Sequence, residues 1–199
     1  MLNQHYDLLV LCEYSGIVRN AFAATGLKVL SLDLLPTESP GLHIQTSIFH
    51  ALPFLSYKAI IAFPPCTYLA SCQMFRLKKD PCRKLKSDLA MQFVQQIYNL
   101  PCPLIAIENP IGRLNTNWKR PSQITCPSHH GSPYSKDICL WLKGFPPLLS
   151  SGYTMGKKKV VNHVNSRMTN EQRSKIKSKF FPEVAASMAL QWANIIKHH

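Results

Sequence analysis

Short apolar runs that stop abruptly are the feature of this chain that most limits its fold. Four such runs occur in the first 110 residues, each four or five residues long. They are Leu8–Cys12, Lys28–Leu32, Ala59–Ala62 and Leu104–Ile107. Apolar runs of this length, separated by helical segments, are typical of parallel strands covered on both faces. The chain is therefore predicted to be of the α/β class, with a mostly parallel central sheet and helices on both faces.

Helical signals lie between and after these runs. The segment Arg19–Thr25 ends at Gly26, which suits a helix C-cap. In Lys84–Tyr98, apolar residues recur at every fourth position and predict one stripe of an amphipathic helix. These residues are Leu85, Leu89, Phe93 and Ile97. The second half is less regular, with a predicted strand over Ile138–Leu142 and a closing helix over Pro182–Ile196.

Basic residues are concentrated in two segments. The chain has 23 Lys and Arg against 10 Asp and Glu, a formal net charge of +13. Residues 1–75 contain three basic and four acidic residues, whereas 76–88 contain six and two, and 150–199 contain nine and two. Uneven positive charge favours a polyanionic partner such as DNA or RNA. The candidate contacts are Arg76, Lys78, Lys79, Arg113, Lys119, Arg120, Lys157, Lys158 and Lys159.

No feature of the sequence predicts export or a membrane. No apolar run approaches the roughly 20 residues of a membrane-spanning helix, and Met1–Asp7 lacks the signs of a signal peptide. We therefore expect a cytoplasmic protein. The seven cysteines are odd in number, which argues against a disulfide framework. The spacing of Cys126, His129, His130 and Cys139 fits no strong zinc template, so no metal site is expected.

Residues capable of chemistry follow each of the four apolar runs, where ligands bind in open parallel sheets. Cys66 follows two prolines on a stiff turn, and a thiolate there can attack an electron-poor carbon such as carbon 6 of a pyrimidine. Glu108 can hold a proton for nitrogen 3 of cytosine, with Asn109 orienting the carboxyl or the loop. Taken alone, each of these residues is explained equally well by a structural role. Together, 42 residues apart (108 − 66), they leave room for one βαβ unit between them.

The first two turns have the chemistry of a nucleoside-binding site. Gly16 lets the backbone approach a ligand closely, and the turn also contains Glu13, Tyr14 and Ser15. Asp33 lies 17 residues further on (33 − 16) and can accept hydrogen bonds from ribose hydroxyls. A glycine-rich phosphate loop is missing, which is consistent with S-adenosylmethionine, a cofactor without phosphates.

These features together resemble the DNA cytosine-5 methyltransferases, and more closely the short single-domain forms of phages and prophages. The family's Pro-Cys motif matches Pro65–Cys66, its Glu-Asn motif Glu108–Asn109, its cofactor turn Tyr14–Gly16 and its ribose-binding acid Asp33. The resemblance implies a Rossmann-like class I methyltransferase fold in a bacterial or phage-infected cell. It also implies S-adenosylmethionine as cofactor, DNA as partner, and methyl transfer to carbon 5 of cytosine through a covalent Cys66 adduct.

The resemblance also implies one methyltransferase domain over the whole chain. Residues 1–112 form its cofactor and catalytic half, and residues 181–196 its closing helix. Between them, residues 113–180 form an irregular basic segment in place of the target-recognition domain of longer members.

Further residues are assigned through the resemblance. The family's third motif normally offers an Asp to the adenine amino group, and this chain has Thr46 and Ser47 there. Ser47 and Pro64 join the predicted cofactor site. The basic loop Arg76–Lys86 would close over a base flipped out of the helix. Trp118, which lies among basic residues, is the best candidate for stacking on a base.

Other functions stay open. A methyltransferase fold that had lost catalysis would bind DNA without turnover, and the altered third motif supports this alternative. Cys66 and Glu108 argue against it, because binding alone needs neither. Methyl transfer to an exocyclic amino group is disfavoured, since those enzymes have an aromatic residue where Cys66 stands. Reaction with a free pyrimidine nucleotide is disfavoured by the positive charge of the second half.

Overall fold

The computed structural model describes residues 4–77, 79–152 and 168–199. Within these residues one sheet contains seven strands. They are β1 (Gln4–Leu11), β2 (Val29–Asp33), β3 (His43–Gln45), β4 (Leu55–Ala62), β5 (Leu104–Asn109), β6 (Gln123–Thr125) and β7 (Ile138–Lys143). Their order is β3-β2-β1-β4-β5-β7-β6. Strands β1 to β5 are parallel, and β7 is antiparallel to both β5 and β6.

Seven α-helices accompany the sheet in the same described ranges. They are α1 (Ile17–Ala23), α2 (Ile48–Ala51), α3 (Met74–Leu77), α4 (Pro81–Tyr98), α5 (Arg113–Asn117), α6 (Asn170–Lys177) and α7 (Pro182–Lys197). Short 3₁₀ turns occur at Leu52–Phe54, Ser71–Gln73 and Pro127–His130. In the described part of the chain, no helix is both long and apolar enough to cross a membrane.

The helices cover both faces of the sheet because strand side chains alternate between the faces. Leu8 and Val10 of β1 pack with side chains of α1 and α7, including Phe22 and Trp192. On the opposite face, alternate residues of β1 such as Leu9 pack with Val94 and Ile97 of α4. The predicted α/β class, with a mostly parallel sheet between two helical layers, is confirmed.

The strand order places a crevice at one edge of the sheet. The first five strands have the order 3-2-1-4-5, which is that of doubly wound nucleotide-binding sheets. The chain builds outward from β1 to β3 and then returns to build from β4 to β5 on the other side. Ligands bind at such a reversal, beyond the carboxyl ends of the two central strands. Here those strands are β1 and β4.

The apolar stripe predicted for α4 is wrong in its first half. Leu85 and Leu89 are 61% and 55% exposed, and the buried residues are Ser87, Val94 and Ile97. Each step of four residues overshoots a helical turn by about 40°, so such a stripe drifts around the helix. The first turns of α4 lie against the loop after β4, where the Ser87 hydroxyl donates to a backbone carbonyl.

Candidate active site

Cys66 lies on a turn that begins where β4 ends. Pro64 and Pro65 have no backbone N–H to continue the strand ladder, so the strand stops at Ala62. The Cys66 carbonyl accepts hydrogen bonds from the backbone N–H groups of Leu69 (2.9 Å) and Ala70 (3.0 Å). Its thiol is half-buried and not in a disulfide. The turn holds the thiol at the crevice edge of the sheet.

Glu108 and Asn109 lie at the end of β5, which is paired with β4. The side chain of Asn109 is buried, and its Nδ2 donates to the carbonyl of Pro64 at 2.8 Å. This bond joins the loop of Cys66 to the strand of Glu108. Of the two roles that the sequence left open for Asn109, this bond favours orienting the loop.

Two backbone hydrogen bonds on either side of Gly112 make a second connection between the loops after β4 and β5. The N–H of Ser71 donates to Ile111 at 3.0 Å, and the N–H of Arg113 donates to Leu69 at 2.7 Å. A Cβ atom at Gly112 would lie 2.0 Å from the carbonyl oxygen of Leu69, so a side chain cannot be accommodated. The loops after β4 and β5 thus form one hydrogen-bonded unit.

Cys66, Glu108 and Lys136 interact electrostatically. Burial raises the pKa of Glu108 to about 7, which leaves the carboxyl partly protonated at neutral pH. Burial and the Glu108 carboxylate raise the pKa of the Cys66 thiol. Lys136 lowers both pKa values, because its positive charge favours the thiolate and the carboxylate. The thiol and the carboxyl are thus within electrostatic range of each other and of one cation.

Sequence reasoning missed Lys136. This residue precedes β7, whose antiparallel pairing with β5 puts Cys139 opposite Asn109 at the catalytic end. The start of β7, rather than its end, therefore reaches the site. The signal that could have revealed Lys136 is a lone basic residue just before a strand, and its value depends on knowing that the strand is antiparallel.

A cleft of about 290 Å³ lies beside Cys66 at the reversal point of the sheet. Its walls come from the ends of β1 and β2, the segment after β3, the loop after β4, and α4. The lining residues are Cys12, Asp33, Leu34, Thr46, Ser47, Ile48, Pro65, Ala90 and Phe93. The cleft thus contains the predicted Asp33 and Ser47 and extends to the residue next to the thiol.

The lining of the cleft fits a nucleoside. Oδ1 of Asp33 accepts from the N–H of Leu35 at 2.9 Å, and the carboxylate has further lone pairs for ribose hydroxyls. Burial raises the pKa of Asp33. Leu34, Ile48 and Phe93 give apolar walls suited to a flat ring. Few polar groups among apolar walls is the usual composition of a small-molecule site, although the volume is at the lower end of the usual range.

The residues of the predicted cofactor turn, Glu13 to Gly16, are not among those that line the cleft. Glu13, Tyr14 and Ser15 are buried. Oε1 of Glu13 accepts from the Ser15 hydroxyl at 2.7 Å and from the N–H of Val18 at 3.2 Å. The Tyr14 hydroxyl donates to the carbonyl of Lys175 at 2.7 Å. These residues hold the turn and connect it to α6.

The Arg19 side chain accounts for the need for glycine at position 16 and for the conformation of the loop after Asp33. Gly16 has a φ of 75°, and a Cβ there would lie 2.5 Å from the Arg19 guanidinium. The guanidinium is buried and donates to the hydroxyls of Ser31 and Thr37 and to the carbonyl of Pro40. It fixes the loop that holds Leu34 at the cleft. Sequence reasoning gave this arginine no role.

Two residues that line the cleft, Pro65 and Cys12, are sequence neighbours of the predicted residues Pro64 and Glu13. Pro64 is buried, and Pro65 lines the cleft. Cys12 also lines it, with a φ of 58°, a conformation unusual for a residue with a side chain. Burial and the nearby Asp33 raise the pKa of Cys12 to about 12, so its thiol stays neutral.

The predicted nucleic-acid contacts are dispersed. Arg76, Lys79 and Arg120 are exposed. Arg113 is buried and paired with Asp88, which leaves little surface for a phosphate. Four further candidates lie outside the described residues. These are Lys78, Lys157, Lys158 and Lys159.

Lys119 and Trp118 belong to an aromatic cluster. Nζ of Lys119 donates to the Tyr98 hydroxyl at 2.7 Å, at the C-terminal end of α4. The ring of Trp118 packs against Tyr98 and Trp141, with centroids 5.3 and 6.2 Å apart. Trp118 is thus a packing residue. The N-terminal half of α4, and not this end, lies near Cys66.

Neither a scan against protein-family models nor a search of curated proteins found a match to this chain. Function is therefore inferred from the chemistry and geometry of the site itself.

Proposed function

We propose that the protein is a DNA cytosine-5 methyltransferase that uses S-adenosylmethionine and the nucleophile Cys66. One observation carries the proposal: Cys66, Glu108 and Lys136 interact at the edge of a cleft that fits a nucleoside. A thiol and a carboxyl that is partly protonated at neutral pH are the two groups that attack on a cytosine ring requires.

Cys66 begins the proposed reaction. Its thiolate forms a bond to carbon 6 of cytosine, and the electrons of the carbon 5–carbon 6 double bond move into the ring. Nitrogen 3 takes a proton from Glu108, so no negative charge accumulates. S-adenosylmethionine supplies the methyl group that the electron-rich carbon 5 accepts. The proton on carbon 5 then passes to water, the bond from sulfur to carbon 6 breaks, and the carbon 5–carbon 6 double bond and the thiolate are restored. Nitrogen 3 returns its proton to Glu108 as the ring is restored.

The remaining residues hold the reactants. Lys136 favours the thiolate over the thiol. Asn109 fixes the loop of Cys66 through its bond to Pro64. Asp33 would accept from the ribose hydroxyls of the cofactor, and the apolar walls of the cleft would enclose the adenine. This arrangement keeps the bound cofactor next to the base that Cys66 attacks.

DNA binding without turnover is the second candidate function. The observation that favours it is the hydroxyl of Ser47 in the cleft, because a neutral hydroxyl accepts a hydrogen bond less strongly than a carboxylate. Weaker cofactor binding would then limit catalysis.

Transfer of labelled methyl from S-adenosylmethionine to mixed-sequence DNA, followed by nucleoside analysis, tests the proposal. The wild-type protein should form 5-methylcytosine, and Cys66→Ala should form none. Cys72→Ala is the matched control, since Cys72 is an exposed thiol six residues further on (72 − 66). Methyl transfer by Cys66→Ala would remove the mechanism. DNA binding by a wild-type protein that transfers no methyl would favour the second candidate.

A further inference from the structure

Two aromatic rings flanked by cations follow Cys66. The Phe75 side chain is 61% exposed, and the guanidinium of Arg76 lies 5.3 Å from its centroid. The ring of Tyr68 lies 5.5 Å from the guanidinium of Arg83 and 5.9 Å from Nζ of Lys86. We call these five residues the aromatic–basic surface.

The aromatic–basic surface is attached to the catalytic loop. The Ser87 hydroxyl of α4 donates to the carbonyl of Tyr68 at 2.7 Å. Nη1 of Arg83 donates to the Gln73 side chain at 2.9 Å, which connects α4 to the turn before α3. Tyr68 is two residues from Cys66. The surface therefore lies next to the base that the proposed reaction requires.

In the described structure, neither acidic residue of the segment 76–88 forms an ion pair with a side chain of the aromatic–basic surface. Asp80 caps α4 by accepting from the N–H of Arg83 at 3.0 Å. Asp88 pairs with Arg113 and, at 3.5 Å, with Lys84. Residues 76–88 have six basic residues against these two acids, so the segment has a balance of +4. Such a charge suits a polyanion.

An exposed ring beside a cation indicates more than phosphate binding. Phosphate contacts need only cations, and an exposed phenylalanine gains nothing from them. Aromatic side chains with neighbouring Arg and Lys are what single-stranded nucleic acid binds, because its unpaired bases stack on rings. In a duplex the faces of the bases are already stacked on each other.

We propose that the aromatic–basic surface binds unpaired nucleotides, with Phe75 as the stacking residue, so that the preferred substrate is single-stranded or locally melted DNA. This inference deepens the proposed function and rests on it for the identity of the target base. Stacking itself needs neither a cytosine nor a cofactor, and it can be measured apart from catalysis.

Fluorescence anisotropy with labelled oligo(dT) of about 16 nucleotides, and with the corresponding dA·dT duplex, tests the inference. Phe75→Ala should weaken binding to oligo(dT) by about 5-fold to 150-fold, the range for loss of one stacked base. Duplex binding should change by less than about twofold, because it depends on phosphates. Phe54→Ala is the matched control. Phe54 is 64% exposed but precedes β4, at the opposite edge of the sheet from Cys66.

Other outcomes overturn the inference. Unchanged binding of oligo(dT) by Phe75→Ala would show that the ring does not stack. Equal losses for oligo(dT) and duplex would show that Phe75 contacts a feature that both share, such as the sugar–phosphate backbone, and does not stack on unpaired bases. Because oligo(dT) contains no cytosine, both results are independent of methyl transfer. Thermal unfolding of both variants checks that neither substitution disturbs the fold.

Discussion

Glu108 and Cys66 must share one proton when the proposed reaction begins. Glu108 needs its proton and Cys66 must have lost its own, so the pair titrates as a unit. The pKa of Glu108 is about 7, and that of Cys66 is raised above 9.0. Below pH 7 the pair holds two protons, and above the pKa of the thiol it holds none. We therefore expect kcat/KM to rise through about pH 7 and to fall in the alkaline range.

Glu108→Gln separates the two limbs of this profile. The amide can donate to nitrogen 3 at every pH, so the rise near pH 7 should disappear and the rate should follow thiolate formation alone. Lys136→Met is the complementary variant, and it should move both limbs to higher pH because both pKa values lose the effect of its charge. A profile that keeps its limb near pH 7 in Glu108→Gln would assign that pKa to another group.

The pKa of Glu108 can also be measured without turnover. It is about 4.5 in an unfolded chain and about 7 here, so the folded protein binds the extra proton between these values. Stability should consequently fall as pH rises from about 4.5 to 7, by at most roughly 3 kcal/mol. Denaturant unfolding of wild type and Glu108→Gln at pH 5 and pH 8 should show this loss only in the wild type.

At the scale of elements, the proposed chemistry depends on two loops that act as one. Gly112→Ala would put a methyl group against the carbonyl of Leu69 and push the loops after β4 and β5 apart. We expect a loss of roughly 1–3 kcal/mol of stability and a fall in kcat larger than the change in KM for the cofactor. Stability by thermal unfolding and steady-state kinetics measure the two effects.

Gly26→Ala is the control for this substitution. Gly26 has a φ of 85°, with open space around it, so the added methyl costs about 1 kcal/mol of backbone strain without displacing a loop. It should lower stability and leave kcat unchanged. If Gly112→Ala also left kcat unchanged, the connection between the loops would be structural only.

The sequence predicted those elements whose ends are marked by residue type. Pro64 and Pro65 end β4, and the strands before Asp33 and Glu108 are apolar enough to be recognised. Strands β3 and β6 were not predicted, because each is three residues long and is defined by pairing with a neighbour. The exposed Leu85 and Leu89 were misassigned because a stripe of residues four apart drifts around the helix, and spacing does not reveal which side of the first turns faces the loop after β4.

The sequence located candidate residues at strand ends better than it located the walls of the cleft. Asp33 and Glu108 lie at the ends of β2 and β5, Cys66 follows β4, and topology brings these strand ends together. The burial of the turn from Glu13 to Gly16 depends on how α1 packs, and the position of Phe93 in the cleft depends on how α4 packs. Local sequence does not determine either packing arrangement. The position of Lys136 near the site depends on the antiparallel direction of β7.

For the whole molecule, uneven charge predicts salt-dependent DNA binding. The segment after Cys66 has five described cations, of which Lys84 pairs with Asp88 and the other four, Arg76, Lys79, Arg83 and Lys86, are counted here. If each neutralises one phosphate, duplex affinity should fall about a hundredfold between 50 and 200 mM salt. Lys79→Ala should reduce the slope of log affinity against log salt by about 0.9. Lys28→Ala, at the opposite edge of the sheet before β2, should leave the slope unchanged, and an equal effect of both would indicate unspecific attraction.

The packing of α1 against α7 has a consequence for the order in which the protein matures. The first and last helices share one face of the sheet, and Trp192 completes the core that Leu8 and Phe22 begin. A ribosome delivers α7 about 160 residues after α1 (182 − 23 = 159). The nascent chain therefore keeps this apolar face uncovered until α7 emerges, and an uncovered apolar face is prone to aggregation for that interval. Covering the face with α7 is thus a late step in the synthesis of this fold.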